Sequence, residues 1–228
     1  MKIMHEEIRE RIAELGKLMF DRKLTDTAGG NISVRAGDHV CITPRYAGSK
    51  YQWRLRPEQV LVTDMEGNKL EGEGDISREA KVHYALLKTY PESGSVVHGH
   101  AQNIMVFCAA NKPMPPVVEA TQKYGVIKVS RYATAHSGGL AANLLADFAD
   151  QGDRIRASAA AVMAVYHGLF VLAKDLETGF DVTERLDRNA RVILQARSLF
   201  PANVDPGEEM YKACAETIAA FKASQAPK

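Results

Sequence analysis

A chain of 228 residues with 46% hydrophobic residues can bury one sizeable core, so we expect a single domain over residues 1–228. The formal net charge of +1, with acidic and basic residues interspersed, argues against nucleic acid or a membrane surface as the main partner. Cys41, Cys108 and Cys214 are far apart and lack CxxC spacing, which argues against a disulfide framework and a thiolate metal site.

The N-terminal segment carries charges throughout and apolar residues at helical spacing. This pattern predicts an amphipathic helix over residues 3–24 rather than a signal peptide. No apolar run in the sequence approaches the roughly 20 residues of a membrane span. Together with the cysteine usage, these features predict a cytoplasmic protein without a membrane partner.

Turn-forming residues divide the rest of the chain into short strands and helices. Strands are predicted at residues 32–34, 40–42, 60–63, 69–71, 95–97, 126–129, 159–165 and 169–173. Helices are predicted at residues 77–90, 102–110, 139–149, 178–198 and 206–223, with a flexible tail at 224–228. Ser77 is the expected N-cap of its helix. Because several strands pair as hairpins, we expect an α/β fold with a mostly antiparallel central sheet and helices on both faces.

His98 and His100 give the clearest sign of chemistry in the chain. They follow an apolar run, and at strand spacing they project to the same side. Imidazole is a common ligand of zinc and related metals, and a catalytic site needs about three protein ligands and an open position. His167, between the two strands of a predicted buried hairpin, is the third candidate. Two solvated or core histidines are the alternative interpretation of an HxH pair taken alone.

Glu79 is a candidate acid/base. It lies in the first predicted turn of the helix over 77–90, where the helix dipole favours a carboxylate in any protein. Beside a dication, such a carboxylate can bind the metal at rest and exchange a proton with the substrate. Sequence spacing alone does not bring Glu79 and the three histidines together.

Five motifs, in this order along the chain, resemble the class II aldolase/adducin family. They are TAGGNIS at 27–33, ITP at 42–44, SRE at 77–79, VVHGHA at 96–101 and YHG at 166–168. Within the family, the chain looks closest to the sugar-phosphate aldolases typified by L-fuculose-1-phosphate aldolase. The resemblance covers about residues 5–200. It implies a three-layer α/β/α sandwich and a homotetramer with sites at the subunit interfaces.

The resemblance also implies a divalent metal bound by His98, His100 and His167. The metal is most often Zn²⁺, with Mn²⁺ or Co²⁺ as alternatives. Glu79 matches the family's metal-proximal catalytic carboxylate. Related ribulose-phosphate 4-epimerases place Asp at that position, so Glu79 points toward the aldolase and decarboxylase branches of the family.

Polar residues around the glycine-rich turn are candidates for binding a substrate anion. Gly30 and Asn31 offer backbone N–H groups and an amide in the manner of an anion-binding nest. A simple helix-to-strand turn is the alternative interpretation of this segment. The resemblance to the family's phosphate cradle adds Thr43 and Ser77, and it places Arg78 where the family usually has a second Ser.

Arginines mark the main departure from the family pattern. Arg45 and Tyr46 follow Pro44 where the family usually has Thr-Gly, and Arg54 lies further along the same polar loop. A guanidinium offers a planar fork that suits a carboxylate or a phosphate. We therefore expect one of Arg45, Arg54 and Arg78 to face the pocket, and a solvated surface position is the alternative for each.

The catalytic tyrosines of the family are not matched directly. By the resemblance, the tyrosine that a neighbouring subunit supplies falls near Glu119 in this chain. Tyr124 and Tyr132 are the nearby substitutes. Tyr211, in the predicted C-terminal helix, is either the second family tyrosine or a core aromatic.

These inferences predict a metal-dependent carbon–carbon lyase that acts on a small anionic molecule. The leading version is an aldolase that cleaves a hydroxy-ketone, such as a sugar phosphate, through a metal-stabilised enolate. The alternative is a decarboxylase of a 3-oxo or hydroxy-aromatic acid, for which the extra arginines would bind the carboxylate. A non-catalytic adducin-like scaffold is disfavoured, because such domains lose the metal ligands that this chain retains.

Overall fold

The computed structural model describes residues 3–225. The strands are β1 (Asn31–Ala36), β2 (His39–Ile42), β3 (Leu61–Asp64), β4 (Lys69–Glu71), β5 (Ser95–Gly99), β6 (Lys128–Ser130), β7 (Ala159–Ala164) and β8 (Gly168–Ala173). The helices are α1 (Glu6–Asp21), α2 (Ala80–Thr89), α3 (Ile104–Ala110), α4 (Gly138–Phe148), α5 (Gly152–Ala157), α6 (Leu176–Gln195) and α7 (Pro206–Ser224). All eight strands join one sheet in the order β4-β3-β2-β1-β5-β8-β7-β6.

The sheet separates two apolar cores. Neighbouring strands are antiparallel except β6 and β7, which are parallel. Successive strand residues face opposite sides, so Val97 and Val171 pack beneath α1, α3 and α6, whereas Val96 and Phe170 pack beneath α2, α4 and α5. This arrangement confirms the predicted three-layer α/β/α sandwich with a mostly antiparallel central sheet.

The register of the central strands sets up the site. β5 lies between β1 and β8, with Asn31 opposite His98 on one side and Phe170 opposite His98 on the other. β7 and β8 are buried along their whole length, which explains why both are continuous apolar runs in the sequence. The turn between them carries His167 to the same end of the sheet.

Two local predictions are corrected by the structure. Ser77 is not a helix N-cap, because α2 begins at Ala80 and Glu79 occupies the capping position. The Ser77 hydroxyl instead accepts a hydrogen bond from the Glu79 N–H over 3.3 Å. The helix α5 is absent from the prediction, since its six residues are too few to show an apolar period.

The C-terminal helix is present, and its first turn is capped by the Asp205 carboxylate. The predicted tail at 224–228 lies partly outside the described residues, and a single domain over 1–228 stays a prediction. Within residues 3–225, no helix combines the length and the apolar character needed to cross a membrane.

Candidate metal and acid/base site

Three histidines meet at one end of the central strands. His98 lies in β5, His100 directly follows that strand, and His167 lies in the turn between β7 and β8. One nitrogen from each ring lies within 4.8 Å of the others. The backbone of Tyr166 is left-handed, with φ of 58°, and this turn aims the His167 ring at the other two.

His98 is held rigidly. Its ring stacks on Phe170 with 4.0 Å between the ring centroids. Its Nδ1–H donates to the backbone carbonyl of Leu169 over 2.9 Å, which leaves Nε2 as the atom that can bind a metal. Burial lowers the pKa of His98 well below its ordinary value, so the ring is in the neutral, metal-binding form.

His100 packs against the glycine-rich loop that precedes β1. A Cβ atom added at Gly29 would lie 2.5 Å from Cε1 of His100, so only glycine permits this approach. Gly30, at φ of +93°, takes a backbone conformation that side chains rarely adopt. Gly29 therefore lets the loop contact His100, and both glycines line the cleft described below.

The unpartnered polar atoms of the cluster fit a divalent metal. Among the described residues, Nε2 of His98, Nε2 of His100 and Nδ1 of His167 are buried and have no hydrogen-bond partner. Buried polar groups are normally paired, so an unpartnered nitrogen on each of the three rings of this cluster needs an explanation. Three imidazole ligands suit Zn²⁺ or a related transition metal and leave a coordination position for a substrate.

Glu79 faces this cluster from the start of α2. One carboxylate oxygen, Oε1, lies 2.9 Å from Nε2 of His167, and the other, Oε2, lies 3.4 Å from Nε2 of His98. Asn31 donates its side-chain amide to Oε2 over 3.0 Å. Burial opposes ionisation of Glu79, but the two imidazoles and the amide outweigh burial and hold the pKa of Glu79 below its usual range.

A cleft of about 230 Å³ opens beside Glu79. Four of the predicted anion-binding residues line this cleft: Gly30, Asn31, Ser77 and Arg78. Thr43 is placed differently: it is fully buried, and its hydroxyl accepts a hydrogen bond from the backbone N–H of Ile32 over 3.0 Å. Thr43 therefore binds the backbone of β1 and is not among the residues that line the cleft.

The arginines divide between two surfaces. Arg45 lines the cleft, with its guanidinium 4.7 Å from the ring centroid of Tyr46. Among residues 3–225, the buried Nε of Arg45 has no hydrogen-bond partner. Arg54 is exposed and lies beside a separate cleft between Trp53 and Glu10. Two cationic side chains, Arg45 and Arg78, are thus available to an anion next to Glu79.

The structure adds His136, which the sequence analysis did not identify. Its Nδ1 lies 3.7 Å from Oε1 of Glu79, and the residue lines the same cleft. Its backbone is left-handed, with φ of 68°, just before Ser137 caps α4. A single histidine before a helix cap belongs to no spacing pattern, so the sequence offered no signal for it.

The predicted tyrosines lie away from the cleft of their own chain. Tyr124 is buried in the apolar core beneath α1, α3 and α6, and Tyr211 is half-buried on α7. Tyr132 is exposed, and its ring centroid lies 6.2 Å from that of Tyr166, next to His167. Among the residues that the structure describes, Tyr46 is the one tyrosine that lines the cleft.

Comparison with known proteins identifies the family. The sequence model described as "Class II Aldolase and Adducin N-terminal domain" matches residues 10–194. The chain belongs to this family. The cluster of three histidines and a glutamate therefore lies in a class II aldolase fold, as the five motifs predict.

Named members of the class II aldolase family include lyases of two kinds. The chain is 28% identical over 205 residues to a 5-deoxy-D-ribulose 1-phosphate aldolase from Bacillus thuringiensis, covering 89% of this chain and 91% of the relative. It is 32% identical over 191 residues to a 3-oxo-tetronate 4-phosphate decarboxylase from Haemophilus influenzae, covering 81% and 85%. A solved L-fuculose 1-phosphate aldolase shares the fold, with a TM-score of 0.74 and 24% identity over 95% of this chain and 98% of that one.

Proposed function

We propose that this class II aldolase family member is a metal-dependent carbon–carbon lyase, and that its leading activity is aldol cleavage of a small phosphorylated hydroxy-ketone. The observation that carries the proposal is the cluster of His98, His100 and His167, in which one nitrogen of each ring lies within 4.8 Å of the others. The Glu79 carboxylate lies 2.9 Å from His167 and 3.4 Å from His98. A bound dication would supply Lewis acidity to the substrate carbonyl and stabilise the negative charge left when the carbon–carbon bond breaks.

Glu79 is the residue that exchanges a proton with the substrate. Its lowered pKa keeps it ionised at neutral pH, which is the form that accepts a proton from the substrate. Oε2 is already held by the Asn31 amide, so Oε1 is the oxygen that is free to take the proton. Asn31 thereby orients the carboxylate toward the substrate.

The cleft beside Glu79 binds the anionic end of the substrate. The backbone of Gly30 and the hydroxyl of Ser77 line it, and Arg45 and Arg78 add two positive charges. A buried guanidinium nitrogen without a partner is costly unless a ligand satisfies it, which makes Arg45 the strongest anion contact. Aldolase substrates in the family, such as the one named for the Bacillus relative, carry a phosphate.

A decarboxylase of a 3-oxo or hydroxy-aromatic acid is the second candidate. Two arginines in one cleft can bind a carboxylate as well as a phosphate, and the Haemophilus relative is named for a substrate with a 3-oxo group and a phosphate. Loss of CO₂ next to a carbonyl leaves the same kind of enolate as aldol cleavage, so one site serves either reaction.

We further propose that the metal is Zn²⁺, with Mn²⁺ or Co²⁺ as alternatives, and that the enzyme is a cytoplasmic homotetramer with sites at subunit interfaces. The His₃ donor set supports the metal. The position of Tyr132 and Tyr166 on the surface next to His167 supports a neighbouring subunit at the mouth of the site.

Product analysis tests the proposal. Purified enzyme is incubated with ketose 1-phosphates, including 5-deoxyribulose 1-phosphate and fuculose 1-phosphate, and separately with 3-oxo acids that carry a 4-phosphate. Aldol cleavage releases an aldehyde and a triose phosphate in equal amounts, whereas decarboxylation releases CO₂ and a ketone. We expect the first outcome, and we expect a chelator to abolish it. Release of CO₂ alone would replace the aldolase by the decarboxylase, and absence of both reactions would contradict the lyase.

A further inference from the structure

Asp26 contacts the metal ligand His100 from the loop before β1. Its Oδ1 lies 3.1 Å from Nδ1 of His100. The same oxygen accepts hydrogen bonds from the backbone N–H groups of Ala28, over 2.8 Å, and Gly29, over 3.1 Å. A carboxylate only accepts, so the proton between Asp26 and His100 belongs to the imidazole.

This contact determines which nitrogen of His100 can bind a metal. With the proton on Nδ1, the lone pair is on Nε2, and Nε2 is the atom that is buried without a partner among the described residues. His98 is oriented in the same sense by the Leu169 carbonyl, which is a neutral acceptor. Asp26 differs because a carboxylate also makes the ring a stronger electron donor.

The backbone of Asp26 is itself held in place by neighbouring residues. The indole N–H of Trp53 donates to the Asp26 carbonyl over 3.0 Å. A Cβ atom added at Gly48 would lie 2.6 Å from that carbonyl oxygen, so the neighbouring loop packs directly on it. The Asp26 side chain is half exposed, but these contacts fix the backbone from which it extends.

We infer that Asp26 is a positioning residue of the metal centre: it fixes the tautomer and orientation of His100 and so raises the affinity of the site for a divalent metal. The inference rests on the proposed metal centre, and it concerns a residue that lies outside the three ligands and the acid/base. Loss of such a supporting partner commonly weakens metal affinity by about 10–100-fold.

The test measures metal affinity rather than activity. Zn²⁺ dissociation constants are determined by competition with a chelator for wild type, Asp26→Ala and Asp26→Asn. Asp38→Asn is the matched control, because Asp38 is an exposed residue of the β1–β2 turn and its loss changes net charge equally. We expect affinity to fall by roughly 10–100-fold in Asp26→Ala, by less in Asp26→Asn, whose amide oxygen still accepts from His100, and not at all in the control.

Two further readouts separate positioning from a purely structural role. The absorption spectrum of the Co²⁺-loaded protein should shift in Asp26→Ala, since it reports ligand geometry, and it should stay unchanged in the control. Thermal unfolding of the metal-free proteins reports how much Asp26 stabilises the protein through its hydrogen bonds within the loop before β1. A lower melting temperature with unchanged Zn²⁺ affinity and an unchanged Co²⁺ spectrum would mean that Asp26 only stabilises the loop before β1, and it would overturn the inference. Wild type that binds no divalent metal would overturn the metal centre and this inference together.

Discussion

Asn31 donates its side-chain amide to Oε2 of Glu79 over 3.0 Å, although 48 residues separate them. Asn31 also stands opposite His98 in the sheet. The amide therefore links the proposed acid/base, at the start of α2, to the strand that carries His98, a proposed metal ligand. Two residues further along β1, Ser33 contacts the buried His83 of α2 over 2.7 Å, so a second polar contact fixes the helix.

Replacement of His98 should empty the metal centre. We expect wild type to contain about one divalent ion per chain and His98→Ala to contain almost none, because one of three ligands is lost. Elemental analysis of the purified proteins measures this. His39→Ala is the control, since His39 contacts His5 at the start of α1 and lies outside the cluster. Equal metal content in wild type and His98→Ala would contradict the assignment.

Replacement of Glu79 by Gln should affect turnover more than metal binding. The amide keeps the size of the side chain but cannot accept a proton, so we expect turnover to fall by roughly 10²–10⁴-fold. Steady-state kinetics and elemental analysis are measured on the same preparation. Glu66→Gln, at an exposed position, should behave as wild type. Near-normal turnover of the Glu79 variant would contradict the acid/base role and leave Glu79 only as the residue at the N-cap of α2.

Arg45 and Arg78 should determine how well the enzyme uses anionic substrates. Lysine keeps the charge but loses the planar fork, so each Arg→Lys change should weaken substrate use by up to about 1.5–3 kcal/mol, or roughly 10–150-fold in kcat/KM. Arg54→Lys is the matched control, because Arg54 borders a different cleft. These three variants and Arg78→Ser are assayed on sugar 1-phosphates and 3-oxo acids, which also shows whether Arg78→Ser favours the phosphate. If the Arg45 and Arg78 variants match Arg54→Lys, the anion does not bind in this cleft.

His83 should make the protein less stable in mild acid. Burial lowers the pKa of His83 to about 4, whereas in the unfolded chain it is about 6.5. Between these values the unfolded chain binds more protons than the folded one, so the free energy of unfolding decreases as pH falls from about 6.5 toward 4. At pH 5 the expected loss is about 2 kcal/mol.

Urea unfolding at pH 7 and pH 5 checks this, with His83→Gln as the comparison. The contribution of His98, whose pKa burial also lowers, is the same in both proteins and cancels in the difference. The variant should lose about 2 kcal/mol less than wild type between the two pH values, whatever its stability at pH 7. Equal losses would mean that His83 is protonated in the folded protein.

Local patterns in the sequence were enough to predict much of the fold and part of the site. The hairpin of β7 and β8 is apolar at every position because both of its faces are buried, and the spacing of His98 and His100 follows from the alternation of a strand. These features depend on neighbours within a few residues. The limits of α2 were less well predicted, because the Ser77 side chain bonds within a bend that precedes the helix.

The tertiary structure alone decided which distant residues join the site. Asp26 reaches His100 across 74 residues, and His136 lies 3.7 Å from Glu79 just before α4. Such contacts depend on strand register and on the path of the loops, which leave no periodic signal in the chain. The same applies to the arginines: Arg45 and Arg54 belong to one polar loop, but the fold of that loop turns Arg45 into the cleft and leaves Arg54 outside it.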